Sequence, residues 1–147
     1  MIFWFTGQSG SGKSVIVKGL REFYPHFIML DGNEMRHSIS VGDGFSKEAR
    51  RAHNMRVARL AAVLSKQGHI VLVSVIAPFE DVRQEIEKLC MPSWIYVKRD
   101  SLEKDEDRPY EPPEFPVLVV DTDLETEAES INNCKMVIDD IKLLQEE

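Results

Sequence analysis

The sequence predicts an α/β fold of three layers, in which helices cover both faces of a mostly parallel five-stranded sheet. Short apolar runs alternate along the chain with segments of helical periodicity, as in repeated strand–helix–strand units. The runs are almost continuously apolar, which is typical of strands buried on both faces. With 147 residues, 43% of them hydrophobic, the chain is long enough for one compact domain over residues 1–147.

Five apolar runs are the predicted strands. The first run is followed directly by a loop rich in glycine and serine. The second ends at the pair Asp31-Gly32, and Pro78 stops the third. The five runs are residues 2–5, 27–30, 70–76, 94–97 and 117–120.

Four segments have the apolar spacing of helices. The strongest is residues 47–66, because its apolar stripe is long and Gly68 follows its end. Residues 101–116 are charged, rich in proline and without periodicity, so they predict a loop. The predicted helices span residues 15–23, 47–66, 81–89 and 126–145.

Composition limits the classes of partner. The net charge of −7 argues against binding to a nucleic-acid polymer, although it allows a local basic pocket for a small anion. No apolar stretch approaches the ~20 residues that cross a bilayer, and no secretory signal is visible, so we expect a cytoplasmic protein without membrane contact. Cys90 and Cys134 match no metal or CxxC spacing, which predicts reduced structural thiols.

A phosphate-binding loop follows the first strand. The motif G-x-x-x-x-G-K-[ST] requires glycines for a tight loop whose N–H groups surround an anion, and the next helix adds its positive end. Lys13 is expected to reach the β- and γ-phosphates, and the Ser14 hydroxyl to coordinate Mg²⁺. The motif therefore predicts ATP binding and a P-loop nucleoside-triphosphate hydrolase fold. Its residues are Gly7, Gln8, Ser9, Gly10, Ser11, Gly12, Lys13 and Ser14.

Asp31 is the first candidate for a catalytic carboxylate. It ends the second predicted strand, and in a parallel sheet the carboxyl ends of the strands line the ligand crevice. There it could orient Mg²⁺ or accept a proton; alternatively, it only caps the following helix. No N-K-x-D sequence for guanine recognition follows a later strand. Phosphoryl transfer to a small molecule is therefore favoured over a GTPase.

Several longer runs resemble one family of P-loop kinases. The runs WFTGQSGSGKS, LDGNEMRHSI, GFSKEAR, NMRVARLA, VSVIAP and PYEPPEFPVLVVDT have the order and spacing of adenylyl-sulfate kinases, and together they cover nearly the whole chain. The resemblance implies transfer of the γ-phosphate of ATP to the 3′-hydroxyl of adenosine 5′-phosphosulfate. The product would be 3′-phosphoadenosine 5′-phosphosulfate. It also implies dependence on Mg²⁺ and, usually, a homodimer.

The resemblance assigns substrate contacts to particular positions. Arg36, Phe45 and Arg50 match family positions that hold the sulfonucleotide. Arginine forks suit phosphate and sulfate oxygens, and an aromatic face suits adenine. Ile76 and Ala77 match a substrate-contacting Ile-Ser pair; because the serine is alanine here, only a backbone contact is expected from Ala77.

The chain departs from the family at the catalytic carboxylate. The family usually has Asp-Gly-Asp, and its second aspartate is Asn33 here. An amide can hydrogen-bond but cannot take a proton. Because phosphoryl transfer depends more on positioning and charge than on a strong base, we expect reduced or retuned activity rather than none. The resemblance and the P-loop together predict a catalytic group of Lys13, Asp31 and Asn33, with Glu34 as a further candidate carboxylate.

A second departure lies on the substrate helix. The family's asparagine falls at His53 in an ungapped match, and Asn54 follows one place later. Because a helix turns about 100° per residue, both side chains cannot face the substrate equally. We assign Asn54 to substrate binding. Taken alone, His53 is more typical of a residue without chemistry.

The third departure is a short lid. Residues 101–108, SLEKDEDR, are net acidic and about a dozen residues shorter than the family's lysine-rich lid, although Lys104 or Arg108 could substitute for basic contacts. A shorter lid loosens binding or admits another substrate. Two alternatives therefore stay open: a kinase for the 3′-hydroxyl of another nucleotide, such as cytidine diphosphoramidate, and an ATP-binding module that has lost catalysis.

Overall fold

The computed structural model describes residues 1–146, and it contains five strands and five helices within that range. The strands are β1 (Ile2–Thr6), β2 (Ile28–Asp31), β3 (Val71–Ser74), β4 (Ser93–Lys98) and β5 (Leu118–Asp121). The helices are α1 (Lys13–Phe23), α2 (Gly32–Arg36), α3 (Lys47–Lys66), α4 (Glu80–Cys90) and α5 (Glu127–Glu146).

All five strands belong to one parallel sheet with the order β2-β3-β1-β4-β5. The central strand β1 pairs with β3 through Phe5 and Ser74 and with β4 through Phe5 and Ile95, among other residues. Parallel pairing brings the carboxyl ends of all strands to one edge. The predicted five-stranded α/β fold is therefore confirmed.

The side chains of β1 alternate between two cores. Ile2 and Trp4 pack on the side of α3 and α4, whereas Phe3 and Phe5 pack on the side of α1 and α5. Each of the four is at most 4% exposed. Burying a side chain of this size stabilises the fold by roughly 1.5–3 kcal/mol. The indole of Trp4 stays satisfied because Nε1 donates a hydrogen bond to the carbonyl of Val75 over 2.9 Å. These contacts hold the end of β1 firmly beneath the loop that follows it.

Every predicted element except α3 begins or ends one or two residues from its predicted position, and the sequence-based prediction had no helix at α2. β3 ends at Ser74 rather than residue 76, because side chains of β1 bind the next carbonyls: Trp4 donates to Val75 and Thr6 to Ile76. β5 begins at Leu118, one residue late. The short helix α2 was anticipated only through the capping alternative for Asp31, whose side chain does accept a hydrogen bond from the amide of Glu34.

Within residues 1–146, none of the helices combines the length and apolar character that crossing a bilayer requires.

Candidate active site

A cleft of about 740 Å³ opens at the carboxyl edge of the sheet. It is lined by the segments that follow all five strands, of which the one after β2 is the helix α2, and by the first turns of α3. Among the predicted site residues, Gly7 alone is not in its wall. The others are Gln8 to Ser14, Asp31, Asn33, Arg36, Phe45, Arg50, Asn54, Ile76 and Ala77.

Two glycines of the phosphate-binding loop are required by geometry. A Cβ on Gly7 would lie 2.2 Å from the carbonyl oxygen of Val97, so no larger residue fits between β1 and β4. Gly12 has a φ of 107° where it precedes α1, a conformation that L side chains rarely adopt. The loop thus turns directly into the amino terminus of an 11-residue helix, a geometry suited to binding phosphate.

Lys13 is held inside this loop. Its Nζ donates hydrogen bonds to the carbonyls of Gly7 and Gln8, each over 2.8 Å, and the residue is 7% exposed. Burial lowers the pKa of Lys13 to about 8, although the negative charge of Asp31 acts in the opposite direction. The ammonium group therefore sits next to the loop's anion site and is poorly solvated without an anion.

Ser14 and Asp31 meet across the cleft floor. Ser14 Oγ donates to Asp31 Oδ1 over 3.0 Å, which links the first turn of α1 to the end of β2. The other carboxylate oxygen, Oδ2, accepts from the amide of Glu34 over 3.4 Å at the start of α2. One carboxylate thus both caps α2 and faces the P-loop, so its two possible roles are compatible.

Phe45 stands between two arginines on the opposite wall. Its ring is 69% exposed, and the guanidinium carbons of Arg36 and Arg50 lie 4.6 and 5.7 Å from its centroid. Arg36 donates to the carbonyl of Gly44, and Arg50 donates to those of Phe45 and Asp107. Neither arginine forms an ion pair with any carboxylate in residues 1–146. Their positive charge is therefore available to an anionic ligand.

His53 and Asn54 both line the cleft, and both are almost fully buried at 3% and 2% exposure. Asn54 Nδ2 has no hydrogen-bond partner, whereas His53 Nδ1 lies 2.7 Å from Ser40 Oγ. Burial, together with the charges of Arg36 and Arg56, lowers the pKa of His53 to about 4. The free amide of Asn54 is the kind of buried polar group that a ligand satisfies.

The loop after β3 is tied back into the protein. Thr6 Oγ1 donates to the carbonyl of Ile76 over 2.5 Å, and the buried Arg83 donates to that of Ala77 over 2.7 Å. Ala77 has a φ of 46°, in the left-handed region. Because both carbonyls are engaged, any backbone contact from this pair to a substrate falls mainly to the N–H groups.

Three residues of the site were missed at the sequence level. Arg99 donates to the carbonyl of Gly10, Thr122 donates to that of Ser11, and the hydroxyl of Tyr110 lies 2.8 Å from Thr6 Oγ1. Arg99 and Thr122 directly follow β4 and β5. The rule that strand ends line the crevice, applied to Asp31, would have found both of them.

The two basic residues of the predicted lid, Lys104 and Arg108, lie mainly at different cavities. Arg108 lines the main cleft, whereas Lys104 lines a second hollow beside Gln8 and Ser9. The main cleft has five cationic residues against three acidic ones, in a chain whose net charge is −7. Its positive character suits two anionic nucleotides. The cations are Lys13, Arg36, Arg50, Arg99 and Arg108; the acids are Asp31, Glu125 and Glu127.

A phosphate-binding loop after the central strand, facing a second anion site across one cleft, is the arrangement of a P-loop kinase, and this chain is one. More particularly, it belongs to the adenylylsulphate kinase family, whose sequence model matches residues 1–108.

Individual relatives agree with this membership. A probable adenylyl-sulfate kinase of Synechocystis sp. is 33% identical over 168 residues, covering 97% of this chain and 95% of that protein. A probable bifunctional SAT/APS kinase of Sorangium cellulosum is 34% identical, but this chain spans only 27% of it. The structure of a variant of the Mycobacterium tuberculosis APS kinase CysC superposes with a TM-score of 0.76 at 26% identity, covering 94% of this chain and 96% of that one.

Proposed function

We propose that this chain transfers the γ-phosphate of ATP to the 3′-hydroxyl of adenosine 5′-phosphosulfate, as the names of its relatives suggest. The bond from the 3′-oxygen to the γ-phosphorus forms while the bond to the β,γ-bridging oxygen breaks, giving 3′-phosphoadenosine 5′-phosphosulfate, ADP and a proton. The observation on which this rests is the exposed Phe45 between Arg36 and Arg50, facing the P-loop across one cleft.

At the donor end, Lys13 is the residue that we expect to move least. Its ammonium group already lies in the loop, and a triphosphate would replace the carbonyls of Gly7 and Gln8 as its acceptors. Anion binding also relieves the burial that lowers its pKa. The amino terminus of α1 adds its positive end at the same point.

Ser14 and Asp31 fit a magnesium ion bound together with ATP. Both supply oxygen ligands, and they are already in contact at 3.0 Å. Mg²⁺ held with a nucleotide needs only one or two protein ligands, since phosphates and water supply the rest. When bound, the ion neutralises negative charge on the transferring phosphate. In residues 1–146 Asp31 is also the only carboxylate hydrogen-bonded to the P-loop, so we assign the acceptance of the hydroxyl proton to it.

At the acceptor end, a nucleotide with an anionic mixed anhydride matches the exposed Phe45 and the half-buried Arg36 and Arg50. The guanidinium groups of Arg36 and Arg50 can each bind two oxygens of a sulfate or phosphate. The ring of Phe45 offers a face for a base. Asn33 lies in the cleft wall and orients the acceptor by hydrogen bonding only, because an amide takes no proton.

Three further expectations belong to this proposal. We propose that residues 1–147 fold as one domain, that the protein forms a homodimer, and that it works in the reducing cytoplasm. Free Cys90 and Cys134 suit that compartment, and burial raises the pKa of both thiols, to about 11 and about 12. Light scattering coupled to size-exclusion chromatography tests the dimer.

The decisive experiment compares acceptors. Purified protein with ATP and Mg²⁺ should release ADP much faster with adenosine 5′-phosphosulfate than with cytidine diphosphoramidate or with no acceptor. Lys13→Ala, which removes the phosphate contact, is the background control. Faster release with the cytidine compound would assign the chain to the other acceptor. ATP binding without turnover on either compound would instead indicate a module that has lost catalysis.

A further inference from the structure

A hydrogen-bond network joins the loop before α3 to α3 itself. Its members are Ser40, Asp43, His53 and Arg56, and it lies behind the wall of the cleft that His53 shares with Asn54. We propose that Ser40 fixes the tautomer of His53, so that Nε2–H of His53 donates a hydrogen bond to the base of the acceptor nucleotide. This inference rests on the proposed function for the identity of the ligand.

The tautomer follows from which groups can donate. Arg56 Nη1 donates to Ser40 Oγ over 2.5 Å and to Asp43 Oδ2 over 2.7 Å, and a guanidinium group has no acceptor. Ser40 Oγ is therefore an acceptor toward Arg56. Within residues 1–146 the only group left to receive its hydroxyl hydrogen is His53 Nδ1, at 2.7 Å. When Nδ1 accepts, the single proton of a neutral imidazole is on Nε2.

The charge state of His53 follows from what surrounds it. The ring is 3% exposed, the guanidinium groups of Arg36 and Arg56 oppose protonation, and only Asp43 favours it. The pKa of His53 is accordingly about 4. At neutral pH the ring is thus an uncharged donor, unlike the arginines on the same wall.

The position of His53 indicates which kind of ligand atom its Nε2–H group would bind. Arg50, His53 and Asn54 are three and four positions apart on α3, hence on one face of the helix, and all three line the cleft. Nε2 of His53 has no partner in residues 1–146, and Nδ2 of Asn54 has none either. Two neighbouring uncharged donors favour uncharged acceptor atoms.

A nucleotide base has such atoms on its edge, for example the ring nitrogens of adenine. This divides recognition between two kinds of group. The charged Arg36 and Arg50 would bind the anionic part of the acceptor, and the uncharged His53 and Asn54 would recognise the edge of a base stacked on Phe45. His53 is in that case a specificity-determining residue, and Ser40 is a positioning residue that acts through it.

The first experiment measures the tautomer of His53 without any substrate. Long-range ¹H–¹⁵N correlation spectra of labelled wild-type protein should show the Nε2–H form of His53, and Ser40→Ala should convert it to a mixture of forms. This readout needs no substrate, so it holds or fails independently of the proposed function. An Nδ1–H form in the wild type would overturn the proposal.

Kinetics then test the contact. His53→Ala should raise the KM for the acceptor nucleotide about ten-fold, the usual effect of a lost buried hydrogen bond, with an unchanged KM for ATP. His53→Gln, whose amide can place a donor nearby, should recover part of the loss and also covers the case in which the alanine variant fails to fold. An unchanged acceptor KM, or an equal rise for ATP, would show that His53 is only structural. If the wild type turns over no acceptor, binding of the nucleotide to His53→Gln and wild type by calorimetry decides the same point.

Discussion

Ser14 Oγ and Asp31 Oδ1 lie 3.0 Å apart, although 17 positions separate the two residues in the sequence. Their contact joins the helix that follows the phosphate-binding loop to the end of β2, the next strand along the chain. A hydroxyl and a carboxylate meeting beside a buried lysine form an oxygen-rich corner for a magnesium–phosphate complex.

Replacing Asp31 should therefore affect catalysis more than stability. Asp31→Asn should lower kcat by about 10²-fold or more, because the amide is a poorer magnesium ligand and accepts no proton. The fold should be preserved, since asparagine caps a helix as well as aspartate does. Glu34→Gln is the matched control, as Glu34 is exposed and close by. Steady-state rates, magnesium titrations and melting curves give the comparison; a large loss in the control with little in Asp31→Asn would reverse the assignment.

ATP binding should weaken above pH 8. Because the pKa of Lys13 is lowered to about 8, its charged form is present below that pH and is lost as the pH rises. Affinity should then fall by up to about ten-fold per pH unit, since the triphosphate requires the ammonium group. Calorimetry in buffers of different ionisation enthalpy should reveal proton uptake on ATP binding at pH 8.5 and little at pH 6.5. Lys13→Met should show no such uptake, and a pH-independent affinity in the wild type would contradict the prediction.

Restoring a carboxylate at position 33 should increase the rate. Asn33→Asp should raise kcat several-fold and leave the KM for ATP unchanged, because it adds a proton acceptor at the acceptor side of the cleft. Asn33 is exposed, so the melting temperature should hardly move. Asn33→Ala serves as the control for loss of the amide. Equal rates in wild type and Asn33→Asp would show that this side chain does not limit the reaction.

Removing the ring of Phe45 should impair acceptor binding alone. Loss of a stacking face costs about 1–3 kcal/mol per base, which corresponds to a rise in acceptor KM of about ten-fold or more in Phe45→Ala. The ring is 69% exposed, so stability should be nearly unchanged. Phe45→Tyr keeps the face and should behave like the wild type. A comparable rise in the KM for ATP would mean that Phe45 supports the donor site instead.

Stability should depend on pH through His53. Its pKa is about 4 in the folded protein, against 6.5 when unfolded, so the unfolded chain binds more protons between these values. The free energy of unfolding should fall as the pH drops from 6.5 toward 4, by up to about 3 kcal/mol from this residue. Urea denaturation of wild type and His53→Asn across this range measures the difference. Parallel curves for the two proteins would exclude His53 as the source.

Local patterns were sufficient for the order of all the elements except the short helix α2. The continuous apolar run before Gly7 identified β1, and the motif that ends at Ser14 identified the phosphate-binding loop, because both signals lie within a few consecutive residues. The predicted ends of the elements were less accurate. β3 stops at Ser74 because Trp4 and Thr6, some 70 positions away, bind the carbonyls that follow it.

In the candidate site, too, the features that sequence analysis missed depend on residues far apart in the chain. Arg99 and Thr122 were overlooked because each is isolated in the sequence, and the pairing of β4 and β5 with the sheet brings them to the loop. His53 was flagged only by its ungapped match to the family's asparagine, and the residues next to it in sequence gave no sign of its chemical state. Its partners Ser40 and Arg56 become visible only when the preceding loop folds onto α3.

The sequence by itself determined the fold class, the phosphate-binding loop and the family, since apolar periodicity and a contiguous motif are local properties of the chain. The tertiary structure decided which side chains share the cleft and in what chemical state. In it, Ser14 contacts Asp31, and Nδ2 of Asn54 has no hydrogen-bond partner. His53 is buried among groups that keep its ring uncharged. Contact, burial and charge depend on residues far apart in sequence, and folding alone brings those residues together.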